Sequence, residues 1–305
     1  MIYTVTLNPA LDYDIYSEKF ELKKLNETKK IEFRAGGKGI NVSIMLNNLN
    51  VETIALGFIG GFTGEYILKS LNKQNIMSDF IEIEDTNRIN IKLRVGEKEE
   101  TEIAGVSPVI TKENLEKLKE KISKLKEEDI LVLAGSIPTC FSEKLYKDLE
   151  NITKAKVVLD TRGELLLENI SNNLLIKPNK KELEEAFGIE LKTNEQIYEV
   201  CKKFLEKGVE NVLVSLGKDG AILVKKNKML VAKVPKGIMI NTIGAGDSTV
   251  AGFLTGYTQK LTDIETLRLA VACGSATAYS YGIGKKKMVY ELIKNIECEE
   301  VSYGH

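Results

Sequence analysis

From about residue 108 onward, stripes of apolar residues at helical spacing alternate with short, unbroken apolar runs. Leu115, Leu118, Ile122 and Leu125 recur every three or four positions through a charged segment, which predicts an amphipathic helix with one buried face. Residues 130–134 then read as a buried strand, and 157–159 and 212–214 repeat the pattern. Thr193 and Gln196 make a capping-box pair that opens a helix through about Leu205, and Gly208 supplies its stop. Residues 221–224 and 229–234 form a hairpin around four polar positions, and two long helices over about 247–258 and 263–281 close the core. Strands alternating with helices in this way build βα units around a mostly parallel sheet, so the fold class is α/β.

One segment departs from that pattern. Ile89, Ile91, Leu93 and Val95 alternate with Asn90, Lys92 and Arg94, giving a strand with one dry and one polar face. With residues 13–20 and 30–34 it predicts a small sheet outside the main core. The polar face would meet a substrate, and the apolar face something else, a second copy of the chain included.

Composition narrows the chemistry. The chain has 305 residues, 43% of them hydrophobic, enough for a sizeable core. Forty-three basic residues against 44 acidic leave a net charge of −1, so no general basic field draws it to nucleic acid or an anionic membrane. The first residues read as a strand, without the basic segment and cleavage site of an export signal, and no apolar run approaches the ~18 residues of a membrane span. Cys140, Cys201, Cys273 and Cys298 are scattered without metal-site spacing, which predicts free, mostly buried thiols in a reducing cytoplasm. The only histidine is His305, so Ser-His-Asp and Cys-His machinery is excluded and carboxylates and lysines carry any proton transfer.

The run Asn241-Thr242-Ile243-Gly244-Ala245-Gly246-Asp247-Ser248 stands at the mouth of the first closing helix. Gly244, Ala245 and Gly246 let an anion approach backbone N–H groups at the positive end of the helix dipole, and Asp247 can accept a hydroxyl proton. Alone, the run also reads as a tight turn with Asp247 as its cap. Gly36-Gly37-Lys38-Gly39-Ile40-Asn41 opens another helix without P-loop spacing, and Lys38 and Asn41 could hold an anion or sugar hydroxyls. Asp12 can accept hydroxyl hydrogen bonds, and Arg88 can pair with a phosphate. Lys177, Asn179 and Glu182 follow a strand with a cation, an amide and a carboxylate, suited to nucleotide and magnesium or to a plain helix cap. Ser215-Leu216-Gly217-Lys218-Asp219-Gly220 ends another strand, either around nucleotide phosphates or as a hairpin turn. The glycines at 57–64 miss the G-x-G-x-x-G spacing and read as structural turns.

The two glycine motifs, in this order and at this separation, resemble those of the ribokinase-like, or PfkB-type, sugar kinases, and the resemblance covers essentially the whole chain. Thr6-Leu7-Asn8-Pro9-Ala10-Leu11-Asp12, Arg88-Ile89-Asn90-Ile91-Lys92 and Ala134-Gly135-Ser136-Ile137-Pro138 look most like the 1-phosphofructokinase branch, with tagatose-6-phosphate kinases as near neighbours. The resemblance implies a Rossmann-like three-layer core over 1–305 with a β lid from about 12–35 and 87–104. It also implies phosphorylation of fructose 1-phosphate at its C6 hydroxyl by ATP with Mg2+, potassium being an open addition. Asp247 then matches the catalytic base, and the main chain of Gly244, Ala245, Gly246 and Asp247 the anion hole. Asp12, Gly37, Lys38, Asn41, Arg88 and Ser136 match positions on the sugar. Lys177, Asn179, Ser215, Gly217, Lys218, Asp219, Gly220 and Ser275 fall on the nucleotide side, and Glu182 near the metal. Glu27, where tagatose-6-phosphate kinases tend to carry arginine, would repel a 6-phosphate. Tagatose-6-phosphate or fructose-6-phosphate kinase, and a non-catalytic sugar-phosphate or nucleotide sensor, are the alternatives.

Overall fold

The computed structural model describes residues 1–96 and 99–301, so His305 lies outside the described residues. In chain order its strands are β1 (Ile2–Thr6), β2 (Ala10–Ser17), β3 (Lys30–Gly36), β4 (Thr53–Ile59), β5 (Met77–Ser78), β6 (Ile81–Glu82), β7 (Arg88–Val95) and β8 (Glu99–Ile103). They continue with β9 (Ile130–Ala134), β10 (Lys156–Asp160), β11 (Leu175–Ile176), β12 (Val212–Ser215), β13 (Ala221–Lys225), β14 (Lys228–Ala232) and β15 (Cys298–Val301). The helices are α1 (Lys38–Asn48), α2 (Gly61–Asn72), α3 (Lys112–Ser123), α4 (Leu145–Asn151), α5 (Glu164–Asn169), α6 (Lys180–Phe187), α7 (Asn194–Leu205), α8 (Ala245–Thr258), α9 (Asp263–Ala278) and α10 (Lys286–Leu292).

In the main sheet, β5, β4, β1, β9, β10, β11 and β12 lie side by side in parallel, and β13, β14 and β15 extend it antiparallel. Both faces are covered, which is why the central strands are apolar without a break. Ile130 and Val132 face a layer of α1, α8 and α9, while Leu131 and Leu133 face α3, α4 and α7 on the other side. The predicted helix stripe is buried at Leu118 and Ile122, and Leu125 packs just beyond the end of α3. The Thr193–Gln196 capping box forms as the sequence predicts.

Helices α8 and α9 pack unusually close. A Cβ on Gly252 would lie 2.7 Å from Ala270 Cα, and one on Gly256 would lie 2.7 Å from Thr266 Oγ1. Glycine at these positions lets the two backbones approach, and that contact fixes where the start of α8 points. The predicted second helix stops at Ala278 rather than 281, because Thr277 Oγ1 turns to accept from Gly284 N and the chain reverses. Gly57 is a structural glycine as expected: its φ is 144°, and an added Cβ would sit 2.0 Å from Thr6 O.

A second sheet, in the order β3-β2-β7-β8, stands apart as the predicted lid. Its first strand begins at Ala10 rather than 13, since Ala10 already pairs with Gly36 and Arg88. Pairing puts Asp12, Arg34 and Asn90 on one face and Tyr13, Phe33, Ile91 and Ile103 on the other. The thiols differ from expectation at one position: Cys201 and Cys273 are buried and Cys298 half-buried, but Cys140 is exposed on the loop after β9.

Candidate active site

The carboxyl ends of β1, β9, β10, β11 and β12 meet along one edge of the sheet, the usual place for a ligand in an open α/β fold. There, under the lid, lies a cavity of about 1480 Å³. Asp12, Gly37, Lys38, Asn41, Arg88 and Ser136 line it, as do Lys177, Asn179, Glu182, Ser215, Gly217, Lys218, Gly220, Ser275 and Gly244 through Asp247. Asp219 does not. Residues 217–219 form a tight turn of three residues per revolution, which aims Lys218 at the cavity and leaves Asp219 in solvent. Glu27 also stays out of the lining, on the exposed connection between β2 and β3.

Gly244 adopts a left-handed φ of 77° and opens α8. Ala245 N–H donates to Thr242 O and is therefore taken, contrary to the expectation that all four amides of the run are free. The N–H groups of Gly244, Gly246 and Asp247 have no acceptor among the described residues, so three donors remain where the helix dipole is positive. Asp247 is 6% exposed, and its Oδ2 accepts from Asn41 Nδ2 at 2.8 Å. Burial pushes its carboxyl up to about 6; Lys38 and Lys177 pull the other way, and Asp160 adds to the rise. A carboxyl held there is ionised at neutral pH yet basic enough to take a proton.

Behind the cavity wall lies a residue that the sequence reading passed over. Asp160 ends β10, is fully buried, and sits 3.1 Å from Lys38 Nζ and 3.3 Å from Lys177 Nζ through Oδ1. Burial opposes ionisation, but the two ammonium groups outweigh it and hold the Asp160 carboxyl below the usual range. Lys38 in turn is raised: burial would lower it, and Asp160 and Asp247 prevail. Two cations thus share one buried anion, with Asp247 as the second carboxylate close enough to act on both, so the two ammonium groups stay charged where a polyanion would arrive. The available signal was a carboxylate closing an otherwise apolar strand at the sheet's carboxyl edge. Lys177 also touches the helix mouth, since a Cβ on Gly246 would lie 3.2 Å from its Nζ.

On the lid side, Asp12 Oδ1 accepts from Asn90 Nδ2 at 3.1 Å, and its carboxyl occupies space that any side chain on Gly36 would fill, 2.7 Å from an added Cβ. Arg88 donates to Asn8 O at 3.3 Å, while its buried Nε has no partner. Burial lowers the guanidinium from its ordinary value, and Asp12 partly offsets this. Ser136 Oγ accepts a long 3.5 Å contact from Asn8 Nδ2. Asn179 and Glu182 form the reciprocal capping box of α6, so the bland reading of that pair is realised although both border the cavity.

A buried carboxylate, uncommitted amides and clustered cations beneath a separate small sheet are elements that phosphoryl transfer uses. The family model described as pfkB family carbohydrate kinase matches residues 5–287. The chain belongs to that family. A 1-phosphofructokinase of Bacillus subtilis is 44% identical over 97% of this chain and 99% of the relative. A D-tagatose-1-phosphate kinase of Bacillus licheniformis is 36% identical over 93% and 94%, and a tagatose-6-phosphate kinase of Staphylococcus epidermidis 32% identical over 99% and 100%. Among solved structures, phosphofructokinase-2 from Escherichia coli, described in complex with substrates and products, superposes with a TM-score of 0.91 at 25% identity, covering 96% of this chain and 98% of that one. Other structures of the E. coli enzyme are described as a complex with potassium and as a tetrameric inhibited form. The chain is therefore a carbohydrate kinase with an α/β core, and none of the helices among the described residues is long and apolar enough to cross a membrane.

Proposed function

We propose that the protein transfers the γ-phosphoryl group of ATP to the C6 hydroxyl of fructose 1-phosphate, giving fructose 1,6-bisphosphate and ADP. The observation that carries this reading is Asp247, buried beside Asn41 and raised to about 6, at the head of a helix with three uncommitted amides. Its carboxylate takes the hydroxyl proton as the oxygen attacks in line. The amides of Gly244, Gly246 and Asp247 stabilise charge on the transferring oxygens, where one such donor is worth about 10²–10³ in rate. Asp12, with Gly37 and Asn41 beside it, orients the sugar hydroxyls, and Arg88 and Ser136 receive the far end of the phosphosugar. Lys38, which the resemblance placed on the sugar, shares the Asp160 carboxylate with Lys177, so we assign both to the nucleotide phosphates, and the turn at Ser215–Gly220 with Ser275 borders the nucleoside. The choice of a 1-phosphate follows the relatives, two of which are named for 1-phosphate sugars.

A magnesium ion, brought in with the nucleotide, would lie near Glu182 and would supply positive charge against the phosphates. The donor set fits a metal held mainly by substrate: Glu182 borders the cavity and keeps one oxygen outside its cap, and among the described residues no group of three potential ligands is gathered. Potassium, which the E. coli relative is described as binding, belongs in the same assay. ATP and phosphosugars place the reaction in the cytoplasm.

The test is a coupled assay of purified protein with fructose 1-phosphate, tagatose 1-phosphate, fructose 6-phosphate and tagatose 6-phosphate, with Mg2+ and K+ present. Fructose 1-phosphate is expected to give a kcat/KM at least tenfold above the others, and chelation of Mg2+ to abolish turnover. A higher value with a 6-phosphate overturns the acceptor assignment, and ATP turnover with none of the four would favour the sensor reading.

The lid's apolar face supports a homodimer. Ile31, Phe33 and Ile103 are exposed on it, and Phe33 stacks on Tyr13 with centroids 4.7 Å apart. Such a face is covered by a second copy of the same lid. Sedimentation is expected to show a dimer in the wild type and a monomer for Phe33→Glu; a monomeric wild type at micromolar concentration sinks the assignment.

A further inference from the structure

Lys92 takes no part in the roles above, yet its environment is unusual. It lies on β7 two residues beyond Asn90 and four beyond Arg88, on the same face, and all three line the cavity. Its side chain is only 8% exposed. The ammonium lies 3.6 Å from Asp12 Oδ2 and 3.8 Å from Glu102 Oε1, both beyond hydrogen-bond length, and Glu102 is largely exposed. Lys92 therefore holds three N–H donors, nine-tenths buried, with no hydrogen bond among the described residues. Four residues back along the strand, the buried Nε of Arg88 is likewise without an acceptor. Arg94, two residues beyond Lys92 on the same face, lies 3.2 Å from Glu100 and 3.7 Å from Asp14; its buried Nε also lacks a hydrogen bond, but it does not reach the cavity.

Buried donors left without acceptors are costly, and here they face a cavity that admits a ligand. Asp12 already supplies an acceptor for sugar hydroxyls. The donor-only ammonium beside it wants an acceptor with charge. A phosphate monoester, with close to two negative charges and three strong acceptor oxygens, meets that need better than a hydroxyl.

We propose that Lys92, with Arg88, binds the phosphate already carried by the acceptor sugar and makes the lid strand β7 the element that selects phosphorylated sugars. The inference rests on the acceptor being a phosphosugar. An unphosphorylated sugar would close the lid over two cations with no acceptor, and a site built around such hydrogen bonds rejects the analogue that lacks the group.

The test is steady-state kinetics of Lys92→Met and Lys92→Arg with fructose 1-phosphate and ATP, after the wild type has been shown to turn over. Loss of uniform binding raises KM and spares kcat. Lys92→Met is expected to raise KM for the phosphosugar about 10- to 100-fold, the worth of a charge-assisted hydrogen bond. Its kcat should stay within about threefold and its KM for ATP within about twofold, with Lys92→Arg recovering most of the loss. A phosphosugar KM within twofold of wild type overturns the inference. So does a fall in kcat at unchanged KM, because Lys92 would then act by positioning Asp12. If Lys92→Met proves insoluble, Lys92→Arg decides: a KM more than about tenfold above wild type with intact melting behaviour argues against a simple phosphate contact. A wild type inactive on every phosphosugar defeats the acceptor reading itself, which separates the two failures.

Discussion

Asp247→Asn is expected to lower kcat by about 10³–10⁴, near the upper range of general base catalysis, while phosphosugar binding is kept. The amide preserves the shape of the side chain and can still accept from Asn41, which donates to Oδ2 at 2.8 Å in the wild type. What is removed is the basic oxygen. The same substitution should stabilise the protein above about pH 6. Burial raises the folded-state carboxyl from 3.8 to about 6, so between those values the unfolded chain ionises while the folded one resists. A raised carboxyl therefore costs the wild type stability as pH climbs through that window, and the cost is constant above it. The shift corresponds to a difference on the order of 2–3 kcal/mol. Thermal melts of both proteins from pH 4 to pH 8 should show equal stability at the acid end and a more stable variant at the neutral end. A variant that is active, or one that melts below the wild type at pH 7, removes Asp247 from the centre of the mechanism.

Asp160→Asn is expected to be the most destabilising single change at the site, by about 3–5 kcal/mol at neutral pH. Its carboxylate is the anion shared by Lys38 and Lys177, and Lys177 is itself buried. An asparagine leaves two ammonium groups close together with their paired carboxylate gone and only Asp247 and Glu182 nearby as counter-charge, at the ends of β10 and β11 and the start of α1. Turnover should fall with stability, because both lysines are the cations assigned to the nucleotide phosphates. Urea titration at pH 7 measures the first effect, and KM for ATP the second. The sign with pH follows from the depressed carboxyl: the stability Asp160 contributes is full above the unfolded value and is lost only as the pH falls through the lower folded value. The gap between wild type and variant should then be flat from pH 5 to pH 8. A variant as stable as the wild type would mean that water or the lysines' own movement replaces the pair.

How much of this was legible beforehand differs by the range of the interaction. The capping box at Thr193 and the helix stripe at Leu118 and Ile122 depend on neighbours within one or two turns, and each is present as the sequence predicts. Both glycine motifs stand at helix mouths for the same local reason. Strand β7 also forms, but its apolar positions are only half-buried and its one buried residue is Lys92, so the expected dry face is not realised. Asp219 stays outside the cavity lining because the phase of a three-residue turn, and not the composition of its loop, decides which side chain faces inward. Ala245 lost its free amide to a carbonyl three residues back, a contact that appears only once Gly244 takes its left-handed turn.

Local order along the chain thus sufficed to set the α/β architecture and the separate small sheet and to mark Asp247 as a candidate base, since helix period, strand period and glycine at a helix mouth act over a few residues. Tertiary structure alone decided which charges meet. Asp160 lies 122 residues from Lys38, and Asn41 lies 206 from Asp247. Pairs so distant in sequence have no signature in spacing; they arise because parallel strands deliver their carboxyl ends to one edge, where burial turns each unmatched charge into a constraint on the others.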